Sequence, residues 1–151
     1  MKKNKILVLG IGNTLMGDEG VGVYAVKQFM EGNVPENVTC LDGGTGSFTL
    51  LGPMQEAARV IIVDAALSGN PPGTIEVIYP KYSSDYPTTL TAHDIGLKDL
   101  LDAFYLLGDQ PDITLIAISI PALGQLSTRL SGEMKAVIPE VSAIINQELN
   151  N

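Results

Sequence analysis

Apolar and polar positions switch between two periods along the chain, and each switch marks an element. Residues 5–12, KILVLGIG, are a continuous apolar run that closes in glycines, as a strand buried on both faces should. From Gly20 to Glu31 the period lengthens. Val21, Tyr24, Ala25 and Phe29 recur at helical spacing, with Asp18 available as a cap. VTCLDGG (38–44) predicts a short strand ending in a turn, followed by a short helix through Leu50, Leu51 and Met54. RVIIVDA (59–65) predicts a third buried strand, and the dense turn signal SGNPPG (68–73) separates it from a fourth, TIEVIYP (74–80).

The link between the third and fourth strands is too short for a crossover helix, so the two are expected to be antiparallel neighbours. A polar loop over 81–93 leads to a helix whose face carries Leu97, Leu100, Leu101 and Phe104. ITLIAISIP (113–121) predicts the last strand. Ser131 to Leu149 predicts a helix with Val137, Val141, Ile144 and Ile145 inward, and Pro139 is expected to bend or divide it. The expected fold is α/β: one domain over residues 1–151, a three-layer sandwich. Its mainly parallel, twisted five-stranded sheet has one antiparallel strand and helices on both faces.

Composition narrows the function. The chain is 45% apolar and 17% charged, ordinary values for a globular domain. No apolar run approaches the roughly 20 residues of a membrane span, and no cleavage site follows the basic MKKNK start. A cytoplasmic location is therefore expected. A net charge of −8 with nine Lys and Arg argues against nucleic acid and anionic lipid as partners. It suits a basic partner or a cation. Cys40, the single cysteine, rules out an internal disulfide and a cysteine-based zinc site, and is expected to be a buried structural thiol.

In open α/β sheets ligands collect beyond the carboxyl ends of the parallel strands. Three successive strands deliver acids to that edge: Asp18 and Glu19 after the first, with Asn13 before them, Asp42 with Gly43, Gly44 and Thr45 after the second, and Asp64 at the end of the third. Each has a plain structural reading as well. Asp18 and Glu19 complement a helix dipole, and Asp42 suits a turn. Asp64 ends an apolar strand, where an acid is costly unless paired. His93, the single histidine, follows a strand that runs the opposite way. The residues from Lys81 to His93 reach roughly 40 Å at about 3.3 Å each, enough to return along a strand of roughly 20 Å. The spacing Thr91-Ala-His-Asp94 matches a capping box, which sets His93 in the first turn of a helix and favours the neutral ring that a metal ligand must be.

Other chemistries are poorly supported. GIGNTL supplies two glycines of a dinucleotide fingerprint, but Leu15 stands at the third position. No G-x-S-x-G elbow is present, and Ser119 suits a packed hydroxyl.

Four segments taken in order, GIGNTLMGDEGVG, LDGGTGSFTLLG, VIIVDA and LTAHDIGLKDLL, resemble the nickel-iron hydrogenase maturation endopeptidases over about 120 residues. The first segment carries the specific pattern G-x-G-N-x-L-x-x-D-E-x-x-G. The resemblance implies an endopeptidase that removes the C-terminal extension of a nickel-containing hydrogenase large-subunit precursor once nickel has been inserted. It implies Glu19, Asp64 and His93 as catalytic and metal-contacting residues, with substrate contacts at Asp42, Gly43, Gly44, Thr45 and Asn13. The nickel would come with the precursor, with no permanently bound cofactor, and a monomer is expected. A metallopeptidase with a resident metal and a non-catalytic nickel-binding chaperone are the alternatives. Relatives commonly carry Pro-Glu after the last strand, where this sequence has Pro121-Ala122.

Overall fold

The computed structural model describes residues 4–45, 48–86, 97–108, 110–122 and 126–151. Among these, five strands form one sheet in the order β2-β1-β3-β5-β4: β1 (Ile6–Gly10), β2 (Val38–Asp42), β3 (Arg59–Ala66), β4 (Ile75–Ile78) and β5 (Asp112–Ser119). The first four strands in that order are parallel and β4 is antiparallel to β5. Alternation along the strands sends side chains to two cores. Leu7, Leu9, Val60, Ile62 and Leu115 pack under α2 (Leu51–Gln55) and α3 (Leu97–Leu107), with Met54, Leu100 and Phe104 fully enclosed. Val8, Ile61, Val63, Ile116 and Ile118 pack under α1 (Val21–Met30) and α4 (Gly132–Leu149). Each such enclosed aliphatic side chain stabilises the fold by about 1.5–3 kcal/mol, and the two cores account for the three layers.

One expectation is corrected and a second, the bend or break at Pro139, is narrowed. β4 does not neighbour β3, because β5 lies between them. The chain from Leu67 to Thr74 steps across the end of β5, where Ile120 N–H donates to Ala66 and Gly73 N–H donates to Ser119. Two strand spacings amount to about 10 Å, which those residues bridge easily. The solution also suits burial: β5 is apolar on both faces and occupies the interior, while the short, half-buried β4 takes the edge. Pro139 does not divide α4, which runs unbroken from Gly132 to Leu149. Pro139 is exposed, so the carbonyl that its missing N–H leaves free stands on the wet side of the helix. Within α4 the inward positions are Met134, Val137, Val141 and Ile145, whereas Ile144 is half-buried.

Candidate active site at the carboxyl edge of the sheet

β1 and β3 are adjacent, yet the chain leaves β1 towards β2 and leaves β3 towards β5 and β4. The crevice beyond their carboxyl ends is the switch point at which open α/β sheets bind ligands. Gly10 lies opposite Asp42 on one side and Val63 on the other, so the ends of β2, β1 and β3 are level, with Asp64 one residue further along.

The N-terminal motif has a physical explanation here. After β1 the chain forms a 3-10 turn, Gly17–Gly20, that leads directly into α1. A methyl group on Gly22 would collide with the Val63 carbonyl oxygen and sit 2.5 Å from that of Ile11. One on Gly12 would collide with the Glu19 carbonyl oxygen. The glycines therefore allow the first turn of α1 to rest on the end of β3, and the half-buried Glu19 is carried to the strand that bears Asp64.

Asp64 has no exposed surface. It falls in alternation with Val60, Ile62 and Ala66, so it belongs to the α2–α3 face of β3, and its Oδ1 accepts the Ala65 N–H at 2.8 Å. Enclosing a carboxylate in an apolar strand is costly unless it is paired and hydrogen-bonded, and Asp64 is the enclosed acid at this edge among the described residues.

The other predicted residues divide. Asp42 is exposed; its Oδ1 accepts the Gly44 N–H at 2.8 Å, and its Oδ2 lies 3.8 Å from Lys27 Nζ. Gly43 donates to the Gly10 carbonyl and Gly12 to the Gly44 carbonyl, at 2.8 and 2.7 Å, so the turn after β2 is tied to the turn after β1. Thr45 is exposed on that turn. Asn13 accepts the Leu15 N–H at 3.0 Å and shapes the loop before Glu19. Asp18 is not the cap of α1, whose N-cap is Gly20 with no side-chain bond. It instead accepts the N–H of Ser131, the N-cap of α4, at 2.7 Å and so joins the loops after β1 and β5. The capping sequence Thr91–Asp94, including His93, lies outside the described residues. Among the described residues no group of three or more His, Cys, Asp or Glu could hold a metal ion.

Two nucleophile candidates are set aside by their surroundings. Cys40 is half-buried, and burial pushes its thiol above the ordinary value, which disfavours the reactive thiolate. Ser119 is buried, with its Oγ 2.7 Å from Ser68 Oγ, as a packed hydroxyl should be.

The family model described as hydrogenase maturation protease matches residues 23–148. The chain is 42% identical over 113 residues to the hydrogenase expression/formation protein HupD of Bradyrhizobium diazoefficiens, covering 72% of this chain and 58% of that protein, which is therefore considerably longer than the matched region. It is 36% identical to the hydrogenase 2 maturation protease of Escherichia coli over 76% of this chain and 72% of that one. The solved structure of the hydrogenase maturating endopeptidase HybD from E. coli superposes with a TM-score of 0.87 at 33% identity, covering 97% of this chain and 92% of that one.

Proposed function

The chain belongs to the hydrogenase maturation protease family, and on that premise we propose that it is the endopeptidase that removes the C-terminal extension of a nickel-containing hydrogenase large-subunit precursor. The observation that carries the reading is the seat of the turn that bears Glu19 on the end of β3, the strand that also bears Asp64, which depends on Gly22. Glu19, Asp64 and His93 engage nickel that arrives with the precursor. Two carboxylates and an imidazole suit a borderline cation and leave coordination positions for groups of the substrate. Engagement reads the loaded state of the precursor and fixes the scissile bond beside the acids. Asp42, Gly43, Gly44, Thr45 and Asn13 line the rim that the substrate chain crosses. The 1–151 chain acts as one unit in this role, as a monomer, in the cytoplasm. Among the described residues no helix is long and apolar enough to cross a membrane.

The reading of His93 is supported by its tethers. Tyr86 before it and Leu100 after it are both buried in the core that includes Val60 and Ile62, the β3 face that Asp64 shares.

The deciding experiment incubates the protein with nickel-loaded and nickel-free precursor and follows precursor mass. Loss of a C-terminal peptide from the loaded form alone is expected. Binding without mass loss rejects the protease reading, and equal cleavage of the nickel-free form rejects nickel gating.

A further inference from the structure

The turn that carries Glu19 is weakly held by its own bonds. Gly17–Gly20 is a single 3-10 turn, a form with poor hydrogen-bond geometry. The Glu19 N–H reaches the Met16 carbonyl at 3.3 Å, longer than an ordinary backbone bond, and the Val21 N–H turns back to the Asp18 carbonyl.

Shorter bonds come from outside, from the segment that leads out of β5 into α4. Gly17 N–H donates to the Ser127 carbonyl at 2.8 Å, and Ser127 N–H donates to the Leu15 carbonyl at 2.9 Å. Asp18 Oδ1 accepts the Ser131 N–H at 2.7 Å, and the Tyr24 hydroxyl donates to the Thr128 carbonyl at 3.0 Å. Of these four bonds the one to Asp18 is the shortest and the nearest to Glu19 in the chain. Its acceptor is a carboxylate, and such charge-assisted bonds are about twice as strong as neutral ones. It also lies at the amino end of α4, an 18-residue helix whose dipole attracts negative charge there.

We propose that Asp18 is a positioning residue for the proteolytic reaction: by tying its turn to the amino end of α4, it fixes where Glu19 stands relative to β3. The inference rests on the endopeptidase reading, which gives Glu19 its role. Glu19 is then bracketed by two anchors. After it, Gly22 seats the chain on the Val63 and Ile11 carbonyls, where a methyl group would not fit. Before it, Asp18 fastens the chain to α4. Asp18 acts through Glu19 and touches no reacting atom. A reacting group displaced by about 1 Å can lose about a hundredfold in rate, so a bond that prevents such a shift has a kinetic signature beyond its share in stability.

The test breaks one bond from either end. Asp18→Ala removes the acceptor. Ser131→Pro removes the donor, at a residue whose φ of −62° already suits proline. Each is expected to lower kcat for nickel-loaded precursor at least about tenfold per folded molecule. Two further variants keep the bond. Asp18→Asn retains an oxygen acceptor, and Ser131→Ala gives up the side-chain cap on the Met134 N–H but not the backbone donor. Both should stay within about threefold of the parent, although Ser131→Ala lowers Tm through the lost cap. Ser131→Ala therefore measures what a weaker α4 does by itself. The proposal is overturned by a smaller loss than that in Asp18→Ala, or in Ser131→Pro should Asp18→Ala not fold. It is equally overturned if Asp18→Asn falls as far as Asp18→Ala, or Ser131→Ala as far as Ser131→Pro. A parent that leaves nickel-loaded precursor uncut would reject the endopeptidase reading itself, whereas full processing by Asp18→Ala would reject the positioning role alone.

Discussion

Among the described residues, each end of the sheet encloses one acid, Glu148 at one and Asp64 at the other, and the two stand among different groups. At the amino edge Glu148, in the last turn of α4, is 6% exposed and is held by groups of its own chain. Arg59 reaches its Oε1 at 2.7 Å and its backbone carbonyl at 2.5 Å, and also donates to Thr114 Oγ1 at 2.9 Å. Tyr79 donates to Oε2 at 2.8 Å, a bond that raises the pKa of the phenol above its ordinary value. A cleft of about 700 Å³ opens beside this network, but its charges answer one another within it. At the carboxyl edge, acids arrive from three strand ends, and the glycine-lined turns that carry them bring Glu19 to the strand of Asp64. The first arrangement locks α4 to the sheet. The second gathers negative charge where a cation could use it. Burial alone therefore does not identify a functional acid; what surrounds it does.

The sharpest way to break this contrast is to neutralise each acid without changing its shape. Glu19→Gln, Asp64→Asn and His93→Gln should each lower precursor processing by at least about a hundredfold, in the range lost with an acid, base or ligand at a reacting centre, while circular dichroism remains that of the parent. Processing at parental rates in all three would remove the carboxyl edge from the chemistry.

Arg59→Met should do the opposite. Leaving Glu148 buried without its cation costs about 3 kcal/mol, which lowers Tm by roughly 10 °C in a chain of this size. Cleavage per folded molecule should stay constant. A variant that melts normally but fails to cleave would show that the amino edge is not merely structural.

The smallest effect concerns Asp85, whose carboxyl is held below the ordinary range by the N–H groups of Lys81 and Tyr82, at 3.0 and 3.1 Å. A depressed folded-state pKa gives stabilisation that is complete above the unfolded value and disappears as pH falls through the folded one. Amide protection at Lys81 and Tyr82, corrected for intrinsic exchange, should therefore begin to decline near about pH 5 and go on falling below about pH 4, the ordinary carboxyl value. Asp85→Asn should flatten that decline.

The sequence by itself determined the elements and the edge on which the chemistry gathers. Unbroken apolar runs such as RVIIVDA can only be interior strands, and acids that end them must stand at one rim. Both inferences follow from the local period and from the cost of burying charge, which need no knowledge of distant residues. Tertiary structure alone decided the rest. β5 displaced β4 from β3 because strand order is set by which strand can best be buried on both sides, a competition among segments far apart in the chain. Asp18 left the cap of α1 for Ser131, and Arg59 found Glu148, across 113 and 89 residues. Ser127 carried no local signal at all: it bonded to the Leu15 carbonyl and the Gly17 N–H only when two loops from different strands came together. Such pairings depend on how the chain packs against itself, and no window of neighbouring residues contains that information.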